Sequence, residues 1–303
     1  MNNKFTFGLL VFLAGGVTAF LIISQLSFKE DTETVAEEQT TVSMVPELPA
    51  QMDFAGEAVP LDRRDVQERL DRELLYNYYY KPNVLFTIKL ANRYFPAISE
   101  RLKANGVPDD FKYLCVAESN LMATAISRVG AVSFWQFMNS TAPQYQLLIN
   151  NEVDQRYDLE KSTDAACKYL KQAYDRFGSW TAAAASYNCG MGGYNNQATF
   201  QKTTHYYDLH LPEETNRYIY RILTFKHLLN NAAAMGFVLD STDLYEPVPF
   251  REIEVTRTIP NLATFAIEHG TTYKILKLMN PWIKGRTLTV RPGRDYVLKL
   301  PEE

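Results

Sequence analysis

A short helix with a carboxyl group in its last turn is predicted by residues 109–119, which read DDFKYLCVAES. Pro108 and the two aspartates favour a helix start, because proline needs no N–H donor there and acids complement the helix dipole. Phe111, Leu114 and Glu118 then fall on one face of the helix. A carboxyl group that faces a core at the C-terminal end of a helix is expected to have a raised pKa. Glu118 is therefore a candidate general acid, although a glutamate in this position can also be a solvated or salt-bridged residue.

Two further segments follow Glu118-Ser119 along the chain. Residues 130–138 read GAVSFWQFM, and residues 182–190 read AAAASYNCG. In this order and spacing, the three blocks resemble the signature blocks of lytic transglycosylases of the goose-lysozyme-like superfamily. Residues 93–98, 154–158 and 211–218 resemble further segments of the membrane-bound members of that family, so the resemblance covers about residues 60 to 240.

The resemblance implies a lysozyme-like all-α catalytic domain, and the hydrophobic periodicity agrees with it. Apolar residues recur at helical spacing through residues 62–240, and the clearest stripe runs from Ser162 to Phe177. Gly178 and Ser179 are suited to end this helix and to cap the next one. We also expect short helices at 134–138 and from Ser140 toward Ile149, and a long helix from Thr215 to Met235.

The resemblance also implies a cleavage chemistry with one carboxyl group. Glu118 would protonate the oxygen between N-acetylmuramic acid and N-acetylglucosamine in peptidoglycan, and would then remove the proton of the muramic acid 6-hydroxyl. This hydroxyl closes on C1, which gives a 1,6-anhydro sugar without water. The substrate-binding residues implied by the matching blocks are Ser119, Gln136, Met138, Tyr187, Asn188 and Tyr218. Trp135 is expected in the core, and Ser133 stands where the family pattern has a glycine.

Two other functions remain open at this point. A lysozyme-type hydrolase would need a positioned water and a second acid, for which Asp154, Asp158 and Asp164 are the candidates. The chain could alternatively be a non-catalytic cell-wall-binding protein.

The pattern changes after about residue 245. Residues 251–259 and 295–300 alternate like strands, and residues 260–269 and 271–279 are expected to form two short helices. A small α+β unit of this β-α-α-β order over residues 245–303 resembles a LysM module, which binds N-acetylglucosamine polymers. Asn280-Pro281 matches its inter-element asparagine, whereas the usual Gly-Asp-Thr-Leu start is absent, so a module that only packs on the helical domain is the alternative.

The N-terminal part predicts attachment to a membrane. Residues 5–28 are a run of 24 residues without a charge, long enough to span a bilayer as a helix. We therefore expect an uncleaved signal anchor over residues 1–28 and a periplasmic or cell-envelope location at the inner membrane, with cleavage and secretion to the periplasm as the alternative. Residues 29–61 are acidic and poor in aromatics, which predicts a disordered linker.

Composition excludes several classes of protein. The 303 residues have a net charge of −4, so nucleic-acid binding is not expected. The 3 cysteines and 4 histidines show no metal-binding pattern, and neither a metal nor a cofactor is predicted. Cys115 and Cys167 lie on apolar stripes and are expected to be buried free thiols, while a contact of Cys115 with Cys189 stays open. We expect a monomer whose partners are peptidoglycan glycan strands and the membrane.

Overall fold

The computed structural model of the protein describes residues 45–302. The predicted anchor of residues 1–28 and the first part of the predicted linker, residues 29–44, lie outside this range. Within it, no helix combines the length and the apolar character that a bilayer span requires.

The last part of the predicted linker is folded, which corrects its boundary at residue 61. Strands β1 (Asp53–Phe54) and β2 (Glu57–Ala58) form a small antiparallel hairpin. Phe54 is fully buried in the main core, and Glu57 binds the start of a helix far away in the sequence. The acidic composition predicted disorder, but a few apolar side chains and one carboxylate anchor residues 53–61 to the helical domain.

The regular structure of residues 62–240 is helical, as predicted, apart from isolated β-bridges. They are α1 (Arg64–Tyr79), α2 (Lys81–Ala104), α3 (Phe111–Ser119), α4 (Leu159–Phe177), α5 (Trp180–Gln201) and α6 (Glu213–Asn230). The predicted caps are confirmed: Gly178 ends α4 in the left-handed conformation with φ 70°, and the Ser179 side chain accepts a hydrogen bond from Ala182 N at 3.2 Å. Helix α3, which carries Glu118, packs against α2 and α6.

Three helical predictions were wrong in detail. Residues 134–138 form a turn, because Gln136 has φ 48° and so leaves the helical region. Between Ser140 and Ile149 only the 3₁₀ turn Ala142–Tyr145 forms. Helix α6 ends at Asn230 instead of Met235.

The cysteine prediction is confirmed where the structure tests it. Cys115 and Cys167 are free and fully buried. Cys189 is free and partly buried, with its Sγ 3.6 Å from Ala185 O.

The C-terminal residues form the predicted β-α-α-β unit. Its elements are strand β3 (Phe250–Val255), helices α7 (Leu262–Glu268) and α8 (Tyr273–Met279), and strand β4 (Tyr296–Pro301). The two strands pair antiparallel. The fully buried Asn280 donates to Leu276 O at 2.9 Å and to Lys299 O at 2.7 Å. The asparagine predicted from the LysM resemblance therefore binds α8 to β4 from the inside of the module.

This module shares a hydrophobic core with the helical domain. Val132, Val153 and Tyr157 pack in one cluster with the apolar interior of the module, and Val153 forms a β-bridge with Ile283. Glu152 O accepts hydrogen bonds from Lys284 N at 2.7 Å and from Gly285 N at 3.1 Å. Because Val132 belongs to the segment 130–138, the module packs against a segment that is predicted from the sequence to form part of the site.

Candidate active site

Glu118 lies in the last turn of α3, on the face predicted from the sequence. Phe111 and Leu114 on the same face are fully buried. Asn120 ends the helix in the left-handed conformation with φ 50°, and the Asn83 side chain of α2 donates to Asn120 Oδ1 at 3.2 Å. These contacts fix the backbone at the point where α3 gives way to a loop.

The carboxyl group of Glu118 is suited to donate a proton near neutral pH. Burial raises its pKa to about 7, while the hydrogen bond from Tyr218 and the positive charge of Arg221 limit the rise. The negative charge of Glu214 acts in the same direction as burial. The residue as a whole is half-buried.

Tyr218 is the direct partner of Glu118. Its hydroxyl, carried by α6, donates a hydrogen bond to Glu118 Oε1. Burial, followed by the charge of Glu118, raises the pKa of Tyr218 well above its ordinary value. The phenol therefore stays protonated at neutral pH and orients the carboxyl group.

Tyr187 lies close to the acid, but its hydroxyl bonds elsewhere. It donates to Trp135 O at 2.9 Å, and the ring meets that of Phe137 edge-on with centroids 6.2 Å apart. Burial and then the charge of Glu118 raise the pKa of Tyr187 well above its ordinary value. Tyr187 thus connects the third block to the second beside Glu118.

The second block, residues 130–138, is a tight turn next to the end of α3. Gln136 Nε2 donates to Ser133 O at 2.7 Å, which leaves Oε1 of the same amide to accept from another molecule. Ser133 has φ 64°, a left-handed conformation that glycine adopts more easily, and it occupies the glycine position of the family pattern. Gln136 and Met138 keep part of their surface exposed.

Ser119 and Trp135 have structural contacts. The buried Ser119 hydroxyl bonds Phe134 O at 2.9 Å and Cys115 O at 3.2 Å. The Ser119 hydroxyl thus joins α3 to the second block, and the substrate contact predicted for Ser119 stays a prediction. Trp135 is fully buried, as predicted, and its Nε1 donates to Thr163 Oγ1 at 2.8 Å.

Asn188 lies in α5 two residues before Gly190, where the helix is interrupted. Its Oδ1 accepts a hydrogen bond from Thr215 Oγ1 at 2.8 Å. The Nδ2 hydrogens remain available for a ligand. Asn188 and Gln136 are therefore the predicted polar residues that retain free hydrogen-bonding atoms.

The three aspartates considered as a second acid have other partners. Asp154 is buried in a two-bond pair with Arg156, and Asp158 accepts from Lys161 N at the start of α4. Asp164 is paired with Arg101. Each of the three aspartates thus has a structural contact, and the hydrolase alternative is left to the product analysis.

Arg221 and Glu214, two charged residues of α6 that act on Glu118, were not predicted from the sequence. Glu214, Tyr218 and Arg221 are spaced i, i+4 and i+7, so one helical face carries all three. This spacing is visible in the sequence, but nothing local to α6 indicates that this face lies against Glu118. Glu73 on α1, which is only 1% exposed, was not predicted either.

Comparison with known proteins agrees with this architecture. Residues 95–209 match the transglycosylase SLT domain family. Residues 251–303 match the soluble lytic transglycosylase C-terminal LysM-like domain. The chain therefore carries a transglycosylase SLT domain followed by a LysM-like domain, which confirms the resemblance seen in the sequence.

Two relatives extend the similarity beyond the separate domains. The chain is 28% identical over 233 residues to membrane-bound lytic murein transglycosylase D of Escherichia coli (strain K12), and equally to that of a second Escherichia coli strain. The match covers 75% of this chain and 51% of the relative, so the chain spans about half the length of these curated relatives.

Among solved structures, an inactive mutant of lytic transglycosylase Slt from Pseudomonas aeruginosa is 20% identical to this chain. The aligned part covers 50% of this chain and 26% of the Slt chain. The TM-score is 0.36, at which the likeness carries no weight for the fold.

Proposed function

We propose that the protein cleaves the β-1,4 bond between N-acetylmuramic acid and N-acetylglucosamine in peptidoglycan by lytic transglycosylation, with Glu118 as the single general acid and base. The observation that carries this proposal is the carboxyl group of Glu118, which has a pKa of about 7 and accepts a hydrogen bond from Tyr218. A group with such a pKa exists in both protonation states near neutral pH, as an acid that later acts as a base must. The SLT domain match supports the reaction class.

The reaction has two proton transfers through one carboxyl group. Glu118 donates its proton to the bridging oxygen as the bond from C1 of the muramic acid breaks. The resulting carboxylate takes the proton of the 6-hydroxyl, whose oxygen forms the new bond to C1. Glu118 ends protonated, and no water is consumed. The Tyr218 hydroxyl stabilises the carboxylate between the two transfers.

Around this acid, we assign binding roles to the predicted residues with free polar atoms or exposed surface. Gln136 Oε1 accepts from, and Asn188 Nδ2 donates to, the N-acetyl groups or hydroxyls of the glycan. The part-exposed side chain of Met138 provides an apolar contact for a sugar face.

The test is product analysis with purified sacculi. Glu118→Gln keeps the size of the side chain but cannot donate the proton, so we expect loss of soluble products with retained binding to sacculi. The control is Glu268→Gln, which changes an exposed glutamate on α7. Unchanged release of products by Glu118→Gln would exclude Glu118 as the acid.

Mass spectrometry separates the alternatives. An anhydro product is lighter by one water molecule than the reducing-end product of a hydrolase. Reducing ends would exclude transglycosylation, and binding without any product from the wild type would indicate a cell-wall-binding protein.

For location, we propose the cell envelope, with residues 5–28 as an anchor in the inner membrane and the enzyme in the periplasm. The apolar run and the membrane-bound relative support this. Membrane fractionation of the full chain tests it, and a mature protein lacking the run would favour cleavage and secretion. Light scattering of a chain that lacks residues 1–44 tests the expected monomer.

A further inference from the structure

A buried carboxylate lies beneath helix α6, apart from the groups assigned to the reaction above. Glu73 on α1 is only 1% exposed. Its Oε1 accepts a hydrogen bond from Arg217 Nε, while Oε2 is buried without a hydrogen-bond partner. Arg221 Nε lies 4.0 Å from Oε2. A buried carboxylate is costly unless cations compensate it, and here two arginines share one.

The two arginines flank the partner of the catalytic acid. Arg217 and Arg221 are one helical turn apart on α6, and Tyr218, which binds Glu118, lies between them in the sequence. The charge of Arg221 acts on both Glu118 and Tyr218. The same two helices also share an exposed ion pair, Arg72 with Glu213, in which one arginine meets one carboxylate.

We propose that Glu73 is a positioning residue for the reaction proposed above: its buried carboxylate pairs with Arg217 and Arg221 and thereby moderates the positive charge that acts on Glu118. The inference rests on the proposed function. The Glu73 carboxylate compensates part of the positive charge of Arg221. Glu118 can therefore keep its proton near neutral pH, and Arg221 still stabilises the carboxylate that forms when Glu118 loses this proton.

Among the described groups that interact with Glu118, Arg221 is the cation. Tyr218 and Glu214 on α6 also act on the pKa of Glu118. The charge of Glu118 in turn acts on the pKa values of Tyr187 on α5 and Cys115 on α3. Tyr187, Tyr218 and Cys115 all have raised pKa values because they are buried. They are therefore neutral in the range where Glu118 titrates, so a change in the field at Glu118 depends on Arg221 and Glu214.

The sign of the expected pH effect follows from these charges. A cation favours the carboxylate, so Arg221→Gln should raise the pKa of Glu118 and move the alkaline limb of the pH–activity profile upward. Arg221→Lys keeps the charge and should restore most of the wild-type limb. Glu73→Gln leaves the charge of Arg221 uncompensated and should move the limb downward. We expect each shift to be roughly half a pH unit or more.

A direct titration makes the test independent of turnover. The carboxyl carbon of Glu118 can be followed by NMR in wild type, Glu73→Gln, Arg221→Gln and Arg221→Lys, with Glu118→Gln to assign the signal. Opposite displacements in Glu73→Gln and Arg221→Gln support the proposal. Arg72→Gln is the matched control, because it breaks an exposed α1–α6 ion pair and should leave the titration unchanged.

The failures of the two proposals are distinguishable. If Glu118→Gln stays active, the proposed function fails whatever the titration shows. If Glu118 titrates identically in the wild type and in either Glu73→Gln or Arg221→Gln, Glu73 has only a structural role and the inference is overturned. Should Glu73→Gln not fold, Glu73→Asp replaces it, because the shorter side chain withdraws the carboxylate from the two arginines and should shift the titration in the same direction by a smaller amount.

Discussion

Glu57 should stabilise the fold from a segment whose composition predicted disorder. Its carboxylate accepts hydrogen bonds from Ser179 Oγ at 2.8 Å, Thr181 N at 2.9 Å and Thr181 Oγ1 at 2.7 Å, and also from Trp180 N. These donors lie at the start of α5, the helix that carries Tyr187 and Asn188. We expect Glu57→Gln to weaken this attachment, because the amide keeps one acceptor and loses the charge.

The magnitude follows from the number and kind of bonds lost. A hydrogen bond to a charged group contributes about 1.5–3 kcal/mol when buried. Glu57 is partly exposed and Gln retains some of the bonds, so we discount this to a net loss of about 1–2 kcal/mol in the free energy of unfolding. For a domain of this size, each kcal/mol lowers Tm by about 2–4 °C, which gives a decrease of about 2–8 °C.

The stabilisation by Glu57 should depend on pH, in a direction set by the shift in its pKa. Burial acts to raise the pKa of Glu57, but the hydrogen bonds from Thr181, Ser179 and Trp180 outweigh it and hold the pKa below its ordinary value. Stability from such a group is present above the unfolded pKa and is lost as the pH falls through the folded value. The difference between wild type and Glu57→Gln should therefore be full near neutral pH and should shrink at about pH 3.

Thermal denaturation followed by circular dichroism at both pH values measures the difference. Glu268→Gln serves as the control, since Glu268 is exposed on α7 and should show no change. An equal Tm for wild type and Glu57→Gln at neutral pH, or a difference that persists undiminished in acid, would refute the role assigned to Glu57.

Three further outcomes are expected. Tyr218→Phe removes a hydrogen bond that lowers the pKa of Glu118, so the alkaline limb of the activity profile should move to higher pH, with a reduced maximal rate. Asn280→Ala leaves buried backbone groups of the LysM-like module unpaired and should cost about 2–4 kcal/mol, measured by urea denaturation. Arg156→Met leaves the buried Asp154 charge uncompensated and should lower the free energy of unfolding by about 3–5 kcal/mol, measured by urea denaturation. Because Arg156 Nη1 donates to Phe137 O at 3.2 Å, the same variant should also have lower activity under conditions where it is folded.

Local patterns predicted much of the secondary structure correctly. The caps at Gly178 and Ser179 and the apolar face of α3 depend on residues within one or two helical turns, so they can be seen in the sequence. The segment 134–138 was misassigned because two residues with left-handed backbone, Ser133 and Gln136, are held there by the surrounding loop. Such conformations depend on neighbours that are distant in the sequence.

The site divides in the same way. The sequence alone determined that Glu118 is the candidate acid, because its apolar face, its place at a helix end and the ordered blocks that follow it are all local features. Only the tertiary structure decided how the surrounding groups meet that acid: Tyr218, already implied by the resemblance, donates to Glu118 from α6, about a hundred residues away, the unpredicted Arg221 acts on it from the same helix, and Ser119 bonds the backbone. The physical reason is that burial and charge raise or lower a pKa through space, and the helix packing that sets these distances leaves no periodic pattern in the chain.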